Sequence, residues 1–516
     1  MSRVYSKHLF VLDLFLCCLV PFLSVAETRT VLVLHTNDMH DHVRPGQENC
    51  GGMPYVSGYI KSVKAQRQDV LVLDAGDVAE KGDMLAFKTN SDIMYQAMGK
   101  IDYAATVPGN HDLDHGVAQL HTWAALAPGM SMLCLNYLDK DGKPCFTPSK
   151  IFEVNGIKVG GWTAGSRLRV GVIGLTILKG NETMDRGASV EKLREEAERL
   201  RPETDLLLAL CHAGTSDCAE LSTSVPSVQV FIGGHTHELL KEPKVVKDTG
   251  ALIVQTGSDA RYVGRLELTV DLDSRKLVRA EGGVVEMRHD QAPCDDDMLA
   301  WILKREQEVC PEANHLVGRC EKPLGPAEVA ALAAAALRWR AGADVALCHT
   351  ATIMRSGLPA GGVDVNDLFL TGGQRGDKVV MVTLTGKAIE SYLEGLMNYD
   401  KGQTEWAGFH AAMDRSGAAG SWSAHTDLDP EREYRVVMPQ LEWEKRFETV
   451  AKKQSGKAAD QPPASSSTPP ECPFTFIEAL AAYAENLTAE KVILDAHVKK
   501  LLSDRQLKAE PAQPTR

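Results

Sequence analysis

The chain has no Cys-x-x-Cys pair among its twelve cysteines, so the spacing that commonly closes a structural zinc site on thiolates is missing. It has no basic excess. Its 56 Lys and Arg stand against 69 Asp and Glu, a formal net charge of −13, the opposite of the surface a general nucleic-acid binder presents. That deficit does not argue against small anionic substrates, because a bound cation can outweigh a distant negative field. Residues Lys508 to Arg516 are polar and lack the hydrophobic tail of a GPI signal. No repeat of solenoid type is present.

The one long apolar run lies at the N-terminus. Arg3, Lys7 and His8 precede Leu9–Val25, which only Asp13, Pro21 and Ser24 interrupt, and Ser24-Val25-Ala26 places small residues before Glu27. This order predicts a signal peptide over residues 1–26 and a mature chain that is secreted, periplasmic or lumenal. A membrane anchor is the other reading, but the run is short and broken for a span, and no stable anchor is expected. Two cysteines leave with the signal. Ten remain, and an even number in an exported chain suggests disulfides whose connectivity spacing cannot give. Asn181-Glu182-Thr183 and Asn486-Leu487-Thr488 are glycosylation sequons.

At 516 residues, 44% hydrophobic and 24% charged, the chain is globular and too long for one ordinary core. From Val31 to about Val270 one theme recurs. Short β-branched or Leu-rich runs (Val31–Leu34, Val70–Leu73, Ala104–Val107, Met132–Leu135, Val170–Leu175, Leu206–Leu210, Val228–Ile232, Ala251–Val254) end in polar clusters. Continuous apolar runs bounded by turn residues suit buried strands, and Ser189–Leu200 reads as an intervening helix. The expectation is an α/β domain over residues 27–294. A connecting helix and linker follow over 295–324, then a second α/β domain over 325–505 and a polar tail over 506–516. Lys452–Pro470, rich in Lys, Ser, Ala and Pro, reads as a low-complexity insertion. Phe476–Leu502 reads as a final amphipathic helical stretch.

The chemistry lies where the strands end. Val31–Leu34 leads to His35-Thr36-Asn37-Asp38-Met39-His40, and Val70–Leu73 to Asp74-Ala75-Gly76-Asp77. Ala104–Val107 leads to Pro108-Gly109-Asn110-His111-Asp112, Leu206–Leu210 to Cys211-His212, and Val228–Ile232 to Gly233-Gly234-His235-Thr236-His237. Open α/β sheets place their sites at this edge. Glycines beside the ligands allow close backbone approach. In Asp-x-His and His-x-His, residues two apart point the same way if the backbone is extended. Mixed carboxylate, amide and imidazole donors suit zinc, manganese, iron or cobalt better than calcium. One such cluster is a weak signal, whereas five in order at strand ends are not. Cys211 beside His212 raises a Cys–His nucleophile, but a small apolar strand residue or a disulfide half is the preferred reading.

These clusters run Asn-Asp-x-His, Gly-Asp, Gly-Asn-His-Asp, His and Gly-His-x-His. In that order they resemble the motifs of the 5′-nucleotidase family of calcineurin-like metallophosphoesterases, and the stretch from Met94 to Gly116 is similar as well. The resemblance implies a four-layer α/β/β/α sandwich carrying two divalent metal ions. It implies that Asp38, His40 and His237 hold the first metal, that Asn110, His212 and His235 hold the second, and that Asp77 bridges them. His111 and Asp114 would form a catalytic dyad, His111 stabilising the developing negative charge or protonating the leaving oxygen. A helix N-cap is the bland alternative for Asp114. The implied reaction is hydrolysis of nucleoside 5′-monophosphates or related nucleotides by attack of metal hydroxide on phosphorus.

The second region resembles the family more loosely. Thr352-Ile353-Met354-Arg355-Ser356-Gly357 stands where the family has Gly-Gly-Ile-Arg, which implies that Arg355 binds phosphate; a surface ion pair is the alternative. Phe409 stands near one aromatic of the family's base-stacking clamp, or is a core residue, and Phe474 stands near the second. The sequence departs from the pattern at Asp41, where glycine is usual, and at residues 371–376. No Gly-Gly-Asp-Gly-aromatic segment occurs near the C-terminus. Two other readings therefore stay beside the nucleotide one: a phosphoesterase for a non-nucleotide substrate, and a non-catalytic secreted binding protein that retains the fold.

Overall fold

The computed structural model describes residues 27–154, 158–159, 162–163, 167–178, 185–373, 378–399, 403–415, 421–447, 450 and 469–505. The expected signal segment, the sequon at Asn181, residues 451–468 of the low-complexity stretch and the tail from 506 lie outside these. Among the described residues no helix is long and apolar enough to cross a membrane.

Two six-stranded sheets organise the N-terminal half. The first runs Lys276–Glu286, Tyr262–Asp271, Thr28–Thr36, Val70–Asp74, Ala105–Thr106, Ser131–Met132. The second runs Lys244–Val245, Leu252–Val254, Val230–Gly233, Leu206–Cys211, Leu168–Leu175, Ser149–Val154. The strands that end at the polar clusters are parallel within each sheet, with Leu32 opposite Val70 in the first and Val230 opposite Leu208 in the second.

Side-chain alternation explains why these strands are apolar throughout. Val31, Val33, Leu71 and Leu73 point into the space between the sheets, where they meet Val170, Val172, Leu206, Leu208, Val230 and Ile232. Leu32, Leu34 and Val72 point the other way, onto the helices Met53–Gln66 and Asp92–Ile101. On the second sheet Leu207, Ala209 and Phe231 cover the helices Arg186–Leu200 and Gly214–Ser224. Strands covered on both faces need apolar residues at every position. The result is the four-layer helix–sheet–sheet–helix sandwich that the family resemblance implied.

The C-terminal half is built on a four-stranded sheet in the order Val379–Thr385, Glu433–Pro439, Val345–His349, Thr404–Ala407. The helix Pro326–Ala341 packs on it through a run of buried alanines from Ala330 to Ala336.

Two expectations gain detail. The stretch Phe476–Leu502 is two helices, Phe476–Ala489 and Leu494–Asp504, because Lys491 takes a left-handed φ of 61° and Val492 N–H turns back onto the Leu487 carbonyl at 2.8 Å, a helix stop. The disulfides suggested by the cysteine count find no support, as all ten remaining cysteines are free in this structure and most are buried. Cys134, Cys211, Cys218, Cys310, Cys320 and Cys348 serve as small apolar core residues. The sequon at Asn486 lies inside the first of the two helices, and its amide donates to Glu490 Oε1 at 3.1 Å.

A buried carboxyl ties the C-terminal sheet together. Glu442, wholly inaccessible, accepts from His349 N–H at 2.7 Å, Tyr392 O–H at 2.9 Å and Thr404 O–H at 3.5 Å. Burial pushes this carboxyl up to about 7 from an ordinary 4.5, although its hydrogen-bond donors and Arg446 pull it down. An acid with a raised folded pKa holds a proton that the unfolded chain has already released. Its contribution to stability therefore falls as pH rises from 4.5 to about 7 and is level above. The urea midpoint of the metal-free protein should decline between pH 5 and pH 7.5, and the decline should be shallower in Glu442→Gln. An equal slope in both would remove Glu442 as the cause.

Candidate metal centre

Asp38 and His40 follow the strand Thr28–Thr36, Asp77 follows Val70–Asp74, and Asn110 follows Ala105–Thr106. His212 follows Leu206–Cys211, and His235 and His237 follow Val230–Gly233. The first four belong to one sheet and the last three to the other, so the site lies across the gap where the two sheets' strand ends meet. The delivery is not the extended backbone that the x-spaced pairs suggested. Asp38 (φ 50°), His40 (47°), Asp77 (54°), His235 (73°) and His237 (55°) are all left-handed. Non-glycine residues take this conformation at a cost of about 1–3 kcal/mol each, and it clusters at functional sites.

The structure gathers these residues into two triads. In one, the donor atoms of Asp38, His40 and His237 lie within 4.8 Å of one another, and in the other those of Asp77, His212 and His235 do. His237 Nε2 is 3.0 Å from His40 Nε2 and 3.4 Å from Asp38 Oδ1. His212 Nε2 is 3.1 Å from Asp77 Oδ2 and 4.0 Å from Asp38 Oδ1, so the triads adjoin. Asn110 Oδ1 meets His235 Nδ1 at 2.7 Å. Asp77 Oδ2 also stands 3.9 Å from His40 Nε2, which puts Asp77 between the two groups.

The protonation pattern tests whether a cation fits. His212 Nδ1 faces the Ala75 carbonyl at 2.7 Å. A carbonyl only accepts, so Nδ1 carries the hydrogen and Nε2 the lone pair. That Nε2 is buried without a hydrogen bond and points at a carboxylate. Two electron-rich atoms face each other, and only a proton or a metal ion between them makes the contact favourable. Burial alone would depress the His212 imidazole, yet Asp77 and Asp38 push it up to about 10. Burial likewise opposes ionisation of Asp77, but His212, His40 and His111 outweigh it and hold that carboxyl below the usual range. The donor set therefore fits divalent cations of the borderline class.

Supporting groups that sequence reasoning passed over fix this arrangement. Asn37 donates to Asp38 Oδ2 at 2.7 Å and accepts from Thr256 N–H at 2.8 Å. Asp112, wholly buried, accepts from the backbone N–H groups of Asp77 (2.8 Å), Ala79 (2.9 Å) and Gly109 (2.8 Å) and from Tyr95 O–H (3.2 Å). It clamps the Asp77 turn to the Asn110 helix. The only signal for it was its place beside His111. Glycine is required where the two strand ends touch, because a Cβ on Gly234 would lie 2.7 Å from His212 Nδ1 and 2.9 Å from the Ala75 oxygen.

His111 lies at the rim, its ring centroid 5.2 Å from that of His40. Its Nδ1 faces Glu80 Oε2 at 2.6 Å, and Asp114 lies within 4.8 Å of both. Glu80, which the sequence did not single out, is thus the carboxylate in hydrogen-bond contact with His111. Asp114 is exposed and ends the short helix Asn110–Asp114 rather than capping the next one. A cleft of about 300 Å³ is lined by Asp41, Glu80, Phe87, Ser91, His115 and Arg355, so Arg355 from the C-terminal half shares a wall with Glu80, the partner of His111. Lys81 is here too, its Nζ 3.2 Å from His40 Nε2. Burial and Arg355 pull its ammonium below the usual lysine range, while Asp77, Asp38 and Glu80 oppose them.

The two aromatics lie elsewhere. Phe409 is 5% exposed and stacks on Trp406 at 5.8 Å, at the edge of a separate cavity of about 630 Å³ with Arg338, Trp339 and Tyr483. Phe474 lies under the Arg340 guanidinium at 5.7 Å.

Residues 31–239 match the calcineurin-like phosphoesterase family model, and residues 312–445 match that of the 5′-nucleotidase C-terminal domain. The chain is 26% identical over 331 residues to a snake venom 5′-nucleotidase of Crotalus adamanteus, across 58% of this chain and 55% of that one. It is 24% identical over 437 residues to a 5′-nucleotidase of Vibrio cholerae, across 71% and 75%. The chain thus spans little more than half the length of the venom relatives it matches. In fold it resembles the 5′-nucleotidase precursor from Thermus thermophilus, with a TM-score of 0.64 at 24% identity over 89% of this chain and 96% of that one.

Crowding at the centre gives a direct test. A Cβ on Gly109 would overlap Asp77 Oδ1 and lie 2.5 Å from the Asp77 nitrogen. Gly109→Ala should destabilise the protein by about 1–3 kcal/mol and lower its metal content by mass spectrometry. Gly129→Ala, where a Cβ meets nothing within 4 Å, should change neither. Full metal content in Gly109→Ala would mean that this turn does not position Asp77.

Proposed function

We propose that this chain, which belongs to the 5′-nucleotidase family of calcineurin-like metallophosphoesterases, is a phosphoric ester hydrolase that uses two divalent metal ions to cleave nucleoside 5′-monophosphates or closely related nucleotides. The observation that carries this reading is the convergence of two adjoining triads, one from Asp38, His40 and His237 and one from Asp77, His212 and His235, with Arg355 of the other half of the chain lining a cleft beside Glu80. In this reading residues 27–294 hold the metals, residues 325–505 hold the substrate, and 295–324 join them. Asp38, His40 and His237 hold one ion, Asn110, His212 and His235 the other, and Asp77 both. Bound there, zinc, manganese, iron or cobalt would supply an activated water and neutralise the phosphoryl oxygens.

The chain's own groups do the rest. Arg355 presents a planar guanidinium to the phosphoryl group from the far wall of the cleft. His111 shares its Nδ1 hydrogen with Glu80, which leaves Nε2 to give a proton to the departing oxygen. Asp114, in the same cluster, places a second carboxylate beside the ring. Phe409 and Phe474 are the aromatic candidates for the nucleoside. Export belongs to the same reading: it rests on the basic and then apolar order of residues 3–25, and the venom relatives accord with it.

The test is phosphate release from nucleoside monophosphates, nucleotide sugars, cyclic nucleotides and an aryl phosphate with Mn²⁺ or Zn²⁺ present. His111→Ala should lower kcat by about 10²–10⁴-fold with metal content intact. Asp77→Asn should lose both metal and activity, and Arg355→Met should raise KM. Turnover of the aryl phosphate alone would keep the metallohydrolase and discard the nucleotide. No turnover by protein shown to hold metal would favour a binding role.

A further inference from the structure

Lys81 stands in an unusual place for a lysine. Its Nζ lies 3.2 Å from His40 Nε2, the ring nitrogen that the first triad offers to a metal. His40 Nδ1 faces the Ala79 carbonyl at 3.3 Å, so the hydrogen belongs on Nδ1 and the single lone pair on Nε2. That lone pair can accept from an ammonium or bind a metal ion, but not both. The placement is built rather than incidental. Lys81 and the residue before it are both left-handed, with φ 76° and 67°. Glu80 N–H is tied to Asp41 Oδ2 at 2.7 Å, and the turn before it is tied to Asp112. The second triad is completed instead by a neutral amide, that of Asn110.

We propose that Lys81 is a resident cation of the first metal position. It compensates Asp38 and His40 when that position lacks metal, and metal entering the position must displace it. The inference rests on the metal assignment above. It makes the two positions unequal: the second binds directly, whereas the first binds only as the ammonium leaves His40. The displaced side chain has somewhere to go, because Glu80 and Arg355, both among its electrostatic neighbours, line the adjoining cleft of about 300 Å³. There it adds positive charge beside Arg355, on the wall that faces an anionic substrate. Metal loading at the first position and the charge of the substrate wall are thereby coupled through one side chain.

The experiment is calorimetric titration of the metal-stripped full chain with Mn²⁺, with bound metal counted by mass spectrometry. The wild type should bind two ions in steps at least about tenfold apart. Lys81→Met, which keeps the unbranched stem and removes the charge, should tighten the weaker step at least about tenfold and leave the tighter step unchanged. Lys81→Arg, which keeps a cation, should retain the separation. A measurement on the wild type needs no variant: acylation of Lys81 by an N-hydroxysuccinimide acetate, read by peptide mass spectrometry, should increase as the weaker position fills. Identical titrations of the wild type and Lys81→Met, or acylation that is insensitive to metal, would overturn the proposal while leaving the metal centre standing. Failure of every form to bind metal would overturn the metal centre itself.

Discussion

The rest of the structure depends on one electrostatic constraint, the convergence of buried carboxylates and imidazole lone pairs on a space that only positive charge can fill. Asp38 and Asp77 are almost completely inaccessible, and the His212 ring between them is wholly so. Burying an uncompensated carboxylate costs several kcal/mol, and here two are buried within reach of the same nitrogen. The chain supplies partial compensation from within through the Lys81 ammonium, and a divalent ion in its place would do the same work with twice the charge. A site with this composition is stable when a cation is bound and poorly balanced when it is not, so metal affinity is built into the buried charge pattern.

Holding such a centre together falls to the backbone. Five ligand residues in left-handed conformation amount to several kcal/mol of local strain, which persists only where surrounding contacts over-determine it. The two sheets provide them. Each ligand follows a strand whose two faces are buried, so the strand end cannot drift to relieve the turn. Asp112 then gathers three backbone N–H groups from two different strand ends onto one carboxylate. Burial pushes that carboxyl up to about 6, as does neighbouring Asp77, while the N–H groups it accepts oppose them. Its value lies in geometry, since it closes the distance between the Asp77 turn and the Asn110 helix that Gly109 leaves room for.

Much of this was legible in the sequence for a simple reason. Strands buried on both faces read as short apolar runs, and each run was followed by a residue type that binds metal. The layers and the identities of the converging side chains follow from that local pattern. The manner of convergence does not. Asp38-Met39-His40 looked like an extended pair, but Met39 is a fully buried core residue, and the backbone coils left-handed around it. Glu80 and Lys81 carried no signal, because a Glu-Lys pair before a glycine reads as a solvated turn until a histidine from another strand is brought against each member. Phe409 was ambiguous for the same reason: whether an aromatic after a strand faces ligand or core depends on what packs on it, and here it stacks on Trp406 at the edge of a cavity. The break between the last two helices turns on a single left-handed lysine, which no apolar period reveals.

The segment from Asp77 to Met84 shows how the two halves of the molecule act on one site. Within eight residues it carries Asp77 against His212, Glu80 against His111, and Lys81 against His40. It ends in Asp83 and Met84, which bind the other half. Asp83 Oδ1 accepts from Asn366 Nδ2 at 2.9 Å, and Asn366 Oδ1 accepts from Met84 N–H at 2.8 Å. Asp83 Oδ2 also accepts from Arg44 N–H at 2.9 Å, and the Arg44 side chain reaches Asp364 at 3.0 Å and buried Glu306 at 3.2 Å. Asn366 begins the helix Val365–Gly372, and Thr371 near its end accepts the backbone N–H of Arg355 at 2.7 Å. An unbroken chain of hydrogen bonds and covalent links thus runs from Asp77 to Arg355 at the cleft. Displacing Arg355 relative to the metals would break buried polar pairs at Asp83 and Arg44, each of which costs more to leave unmade than it contributes when formed. The position of Arg355 relative to Asp77 is therefore held by this one turn.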